Sequence, residues 1–131
     1  MKRFEIWTAD MPFTNGSKLK CGRRPVVIVS DQDDADEMPF VSVVPLTKNL
    51  TACQLATHVL LRNRYLDLPS RALCEQVTTV DKSRLVRRIG YVDDAFDRFA
   101  LNRALSIQLH LVPTQMIFVQ EDSENGYFWN A

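Results

Sequence analysis

Arg23 and Arg24 stand directly before Pro25 in the run GRRPVVIVS, residues 22–30, where a charged, breaker-rich stretch gives way to an apolar one. A guanidinium stays charged at any physiological pH and offers a planar fork of donors that matches two phosphate oxygens. Proline fixes φ, so at least one of the two arginines is held at the start of a rigid strand beside a basic loop. Residues 18–24, KLKCGRR, carry four positive charges and no negative one, whereas residues 31–37, DQDDADE, carry five negative charges and no positive one. Charge is segregated by segment. Phosphate binding, and ion pairing of the arginines with the acidic run, are both open at this level.

The other polar candidates are few. Thr47 ends VVPLT with its hydroxyl at a strand terminus, where it can act on a ligand or simply hydrogen-bond a turn. His58 and His110 are the two histidines, the side chains whose ordinary pKa lies near neutrality; His110 suits a helix C-terminus, where its charged form meets the dipole favourably. Glu75 and Gln76 end an otherwise apolar segment, and the Gln76 amide can read a base edge or satisfy the backbone of an adjacent turn. No GxSxG, Walker loop or HExxH is present, and the histidines and cysteines make no convincing metal set. Chemistry without a metal or cofactor, or no chemistry, is the expectation.

These residues need a frame. RFEIWTAD alternates in the manner of a first strand with one face in a core, and it is followed by MPFTNGSKLKCG, a long loop of turn formers. PVVIVS reads as a second strand buried on both faces, FVSVVPLT as a third, ATHVLL as a fourth, RALCEQV as a fifth and RRIGYV as a sixth. TTVDKSRL offers Thr79 as a cap ahead of a single turn. Residues 93–111 open on two aspartates and repeat apolar residues at Phe96, Ala100, Ala104, Ile107 and Leu111, widened by Leu101, Leu105 and Leu109. The spacing predicts a helix there, ended by Val112 and Pro113. Short connections make the sheet mainly antiparallel, so the expected fold class is α+β, mainly β, with a C-terminal helix.

At 131 residues with 46% hydrophobic residues the chain suits one core and one domain. Lys plus Arg and Asp plus Glu both total 16, so the net charge does not mark out a nucleic-acid binder. Three cysteines, Cys21, Cys53 and Cys74, are odd in number and lack CxxC spacing, which fits a reducing cytoplasm better than a disulfide framework. With no apolar signal core and no run of about 18 apolar residues, the expectation is a soluble cytoplasmic protein with no membrane partner.

Taken in order, KRFEIWTADMPFTNGS, GRRPVVIVS, VVPLT, THVLL, LCEQVTTVDKSRL, RRIGYVDD and the final helix resemble the MazF/PemK family of toxin endoribonucleases from type II toxin–antitoxin pairs, over roughly residues 2–111. Each piece is short, but their collinear succession is specific. The resemblance implies a small twisted antiparallel sheet, an SH3-like barrel, with a C-terminal helix, forming a homodimer whose groove binds single-stranded RNA. It also implies cleavage without a metal, because RNA carries its own nucleophile, the 2′-hydroxyl. By the same resemblance Arg24 and Thr47 are the catalytic residues, Arg24 stabilising the phosphorane and Thr47 bonding the scissile phosphate. The arginine pKa, far above neutrality, argues against Arg24 as the base. Lys18, Lys20, Arg23, Gln76 and Thr78 would contact RNA. A cognate MazE/PemI-like antitoxin, usually small and acidic with a disordered tail, would occupy the groove.

The sequence departs from the family pattern at three places. Phe4 stands where RGEIW has a glycine, Lys18 where GSEQ has an acid, and Thr78 where an arginine is frequent. Because Arg24 and Thr47 are kept, the changes bear on substrate preference rather than on the reaction. The toxin domain is expected to span residues 1–112. Residues 113–131 form a partly ordered extension with three acids and no Lys or Arg, or a segment that folds back on the basic groove. The related CcdB group shares this fold but poisons DNA gyrase by binding it, so a non-catalytic binding toxin is the alternative function.

Overall fold

The computed structural model describes residues 1–31 and 38–111. Seven strands form, β1 Glu5–Met11, β2 Gly22–Ile28, β3 Phe40–Thr47, β4 His58–Leu61, β5 Ser70–Leu73, β6 Thr78–Asp81 and β7 Leu85–Tyr91, and then one helix, α1 Ala95–Gln108. Every pairing is antiparallel, in the order β4-β5-β3-β2-β1-β7, with β6 also on β3.

The expected small antiparallel sheet with a C-terminal helix is present, and the sheet is open rather than closed. One side of β3 pairs with β2, and its other side is divided, Phe40–Val43 taking β6 and Leu46–Thr47 taking β5. The sheet therefore forks at β3, leaving β4 at one end of the path and β7 at the other.

The apolar run of β2 is buried on both faces, as its unbroken pattern required. Successive side chains of a strand point to opposite faces. Val27 joins Ile6, Val44, Leu46, Leu61 and Val92 under the helix residues Leu101, Ala104 and Leu105. Val26 and Ile28 join Ala9, Val41, Val43, Val80 and Leu85 on the other face, where Trp7 packs against them. Each fully enclosed Val or Ile contributes about 1.5–3 kcal/mol relative to exposure.

Several element boundaries differ from the sequence reading, two of them in kind. The fifth strand stops at Leu73, and Cys74–Gln76 form a 3₁₀ turn instead of more strand. Thr78–Asp81, read from sequence as a cap and turn, is strand β6; the single turn follows at Lys82–Arg84. The pairing of Thr78 with Val43 and Val80 with Val41 decides it, a long-range contact that local propensity does not carry. Helix α1 is capped by Asp94, whose Oδ1 accepts the N–H of Phe96 at 2.8 Å. It ends before Val112 and Pro113. His110 adopts a left-handed φ of 57°, its N–H reaches the Ile107 carbonyl at 3.2 Å, and the Leu111 N–H reaches Ser106 at 2.7 Å. That is a Schellman closure with histidine where glycine is usual. Phe96, expected in the apolar stripe, is 84% exposed.

Two further packing features matter below. Phe4 has φ 75°, and the guanidinium groups of Arg3 and Arg98 lie over its ring, 5.1 and 5.4 Å from the centroid. Gly90 lies against the ring of Tyr65, where a Cβ would come within 2.1 Å of Cγ.

Among the described residues no helix is long and apolar enough to cross a membrane.

Candidate active site

Arg24 lies near the start of β2, followed at once by Pro25, and its half-buried guanidinium is fixed by carbonyl oxygens. Nε and Nη2 donate to Cys21 at 3.1 and 3.0 Å, and Nη1 donates to Leu46 at 3.2 Å. The first pair of bonds folds the basic loop onto the arginine; the third ties it to the residue before Thr47. The register agrees. Val26 pairs with Pro45 and Ile28 with Val43, so two residues further on Arg24 is level with Thr47 and on the same face. Directly opposed residues of antiparallel strands have Cα atoms about 4.5–5.5 Å apart.

Thr47 is half-buried at the end of β3, and its Oγ1 accepts the N–H of Asn49 at 3.2 Å. The hydroxyl thus serves the turn, which was one of its two readings. Because a hydroxyl has one hydrogen and two lone pairs, the O–H is left to donate elsewhere. Arg24 keeps one further N–H on each of Nη1 and Nη2 beyond those bonds, and guanidinium and hydroxyl donors on one face at one level of the sheet suit two oxygens of one phosphate.

The remaining sequence candidates divide. Gln76 Oε1 accepts the N–H of Lys20 at 2.8 Å, so Gln76, Lys20, Cys21, Arg24 and Leu46 form one connected path ending beside Thr47. Thr78 is exposed at the start of β6 and pairs with Val43, on the face that carries Arg24 and Thr47. Lys18 is exposed in the β1–β2 loop. Arg23 is not brought to this face. It pairs with Asp10 across the β1–β2 ladder, and Nε and Nη2 meet the two carboxylate oxygens at 2.8 and 3.0 Å. That hydrogen bond holds the Asp10 carboxyl below its ordinary range. The acidic partner of Arg23 is therefore Asp10; residues 32–37 of the acidic run lie outside the described residues.

Two arrangements escaped the sequence reading. His58 and Glu75 meet at 2.8 Å through Nε2 and Oε2, and Thr57 donates to the other Glu75 oxygen at 2.9 Å. The Leu55 N–H donates to His58 Nδ1 at 3.1 Å, which puts the ring proton on Nε2. Burial works to raise the Glu75 pKa, but the bonds from His58, its own backbone and Thr57 outweigh it and hold the carboxyl below its usual range. Both oxygens are occupied, so Glu75 is a tie between segments. Burial beside Glu75 pushes the Cys74 thiol up to about 12, which keeps it from acting as a nucleophile. The second arrangement is Arg71, directly across from Thr47 on β5 and buried. Its only sequence signal is a charge inside the apolar segment SRAL.

Known proteins share this architecture. Residues 2–109 match the family model of the PemK-like, MazF-like toxin of type II toxin–antitoxin systems. The endoribonuclease MazF of Staphylococcus saprophyticus is 34% identical over 113 residues, which cover 85% of this chain and 92% of that protein. Among solved structures, an endoribonuclease in complex with its cognate antitoxin, from a mycobacterial species, has a TM-score of 0.69 at 21% identity and covers 86% of this chain and 97% of that one. The Mycobacterium tuberculosis toxin MazF-mt6 has a TM-score of 0.66 at 27% identity, covering 81% and 96%. The chain thus shares its overall fold with these MazF-type toxins. The chain belongs to the PemK-like, MazF-like toxin family of type II toxin–antitoxin systems.

Proposed function

We propose that this toxin is an endoribonuclease that cleaves single-stranded RNA without a metal, with Arg24 and Thr47 as its catalytic residues. The observation that supports the reading is the Arg24–Leu46 bond, which ties the guanidinium to the residue before Thr47, with the two residues on one face of the sheet by register.

The 2′-hydroxyl of the substrate forms a new bond to the adjacent phosphorus, and the bond from phosphorus to the 5′-oxygen breaks. The products are a 2′,3′-cyclic phosphate and a 5′-hydroxyl; the 2′-hydroxyl gives up its proton to solvent, and the leaving oxygen gains one. Charge builds on the non-bridging oxygens in between. Arg24 meets that charge with fixed N–H groups, and Thr47 donates to the same phosphate; removing one such donor costs on the order of a hundredfold or more in rate. Lys18, Lys20, Gln76 and Thr78 are assigned to the RNA-binding side of the site. Arg23 stays in the proposal as a phosphate contact at the edge of the site: its exposed guanidinium gives Nε and Nη2 to Asp10 and keeps Nη1.

The antitoxin complex among the structural relatives supports a cognate MazE/PemI-like antitoxin as partner; a homodimer is part of the same proposal. The test is incubation of the purified protein with a long single-stranded RNA and the same sequence in DNA, both in EDTA. Discrete RNA fragments with DNA intact, abolished in Arg24→Ala, are expected. Intact RNA would reject the endoribonuclease and favour a toxin that acts by binding.

A further inference from the structure

The row that holds Arg24 and Thr47 runs on into β5. Thr47 pairs with Arg71, and directly opposed residues of an antiparallel pair share a face. Arg71 is 7% exposed. Its Nη1 donates to the Ala52 carbonyl at 2.9 Å, its Nη2 points to the Leu50 carbonyl at 3.4 Å, and its Nε is buried with no hydrogen-bond partner. Among the described residues no carboxylate pairs with it. A permanent charge taken out of water with one nitrogen left without a partner is a costly arrangement. What it accomplishes is to grip the loop that leaves Thr47 by two of its carbonyls.

The same loop is also bonded within itself. Asn49 N–H donates to Thr47 Oγ1 at 3.2 Å, and the Asn49 Oδ1 accepts from Thr51 twice, from the backbone at 3.0 Å and from the hydroxyl at 2.6 Å. Odd-numbered residues 47, 49 and 51 thus bond to one another, while the carbonyls of the even-numbered residues 50 and 52 turn to Arg71. The Asn49–Thr47 bond occupies a lone pair of Oγ1 and so sets where its O–H can point. The placement of residues 48–52 decides whether that bond exists.

We infer that Arg71 is a positioning residue for Thr47: by holding the Leu50 and Ala52 carbonyls it fixes the loop whose Asn49 amide orients the Thr47 hydroxyl toward the substrate phosphate. The inference rests on the endoribonuclease reading above. Arg71 acts through Thr47 and the loop, with its guanidinium committed to backbone carbonyls.

A double-mutant cycle on single-turnover RNA cleavage tests it, using the full chain as wild type, Arg71→Met, Thr47→Val and the double variant, each checked by thermal melting. Misplacing a group by about 1 Å can cost on the order of a hundredfold, so Arg71→Met is expected to lower the cleavage step by about tenfold to a hundredfold. KM should stay within about threefold, since the lost interaction matters in the transition state. In the Thr47→Val background the same change should cost nothing further, the signature of two residues acting on one group. Independent, multiplying losses would overturn the inference, and so would full activity in a folded Arg71→Met protein. Should that variant fail to fold, Asn49→Ala loosens the same loop from its exposed side. It should slow wild type and leave Thr47→Val unaffected; equal slowing in both backgrounds would overturn the inference. A wild-type protein that cleaves no RNA rejects the functional reading itself and this inference with it, whereas active wild type with unimpaired Arg71→Met rejects the inference alone.

Discussion

Gln76 accepts the backbone N–H of Lys20 at 2.8 Å, while its neighbour Glu75 receives Thr57 and His58. One 3₁₀ turn therefore fastens both the loop that runs into Arg24 and the loop that runs out of Thr47.

Removing the Gln76 acceptor should release the first of these loops. Gln76→Leu leaves the half-buried Lys20 N–H without its partner, at a cost of about 1–3 kcal/mol where water does not replace it. Gln76→Glu keeps an oxygen at that place and should retain most of the protection. Hydrogen exchange at the Lys20 amide reads the difference directly; equal exchange in the two variants would show that the bond does not hold the loop.

Acid should weaken the fold partly through Glu75. Its carboxyl is held below the ordinary range, so the charged form favours the folded chain. That contribution is complete above the unfolded carboxyl value of about 4.3 and drains away as pH falls through the lower folded value. Thermal melts from pH 7 to about pH 3 should show a shallower acid decline for Glu75→Gln than for wild type. Parallel declines would mean that other carboxylates, Asp10 among them, carry the effect.

His110 holds a left-handed conformation at the end of α1 that costs a side-chain-bearing residue about 1–2 kcal/mol. His110→Gly should raise the melting temperature by a few degrees, on the order of 2–6 °C for a domain of this size. A fall would indicate that the imidazole makes a compensating contact.

Gly90→Ala is expected to destabilise by about 1–3 kcal/mol, because the added methyl group meets the Tyr65 ring and one of the two must move. Denaturant titration of that variant and of Gly90→Ala with Tyr65→Leu separates the causes: the second change should recover part of the loss.

Arg24 and Thr47 stand in short local motifs, GRRP and VVPLT, beside apolar runs, and it is the family resemblance of those motifs that marks them as catalytic candidates. What the sequence left hidden depends on register. Arg23 and Arg24 are indistinguishable in composition, yet alternation along β2 sends one to Asp10 and the other toward Thr47. Arg71 reads as an ordinary strand residue until β5 is laid against β3. Thr78–Asp81 has the composition of a turn and becomes strand only because Phe40–Val43 present a free edge to it. The forked sheet has the same origin, since no local pattern tells how one strand divides its edge between two partners.

Phe4 carries a last consequence. Its N–H bonds the Ile28 carbonyl at 2.7 Å, its carbonyl accepts from Val92 at 2.8 Å, and Arg3 and Arg98 lie over its ring, all at a φ that glycine tolerates best. Glycine at this position would relieve the backbone and leave both cations without their ring; another bulky side chain would keep the strain and lose the fit. Position 4 is thus entrenched: exchange in either direction gives up something that Arg3 or Arg98 must change to recover, so these three sites are expected to vary as a group.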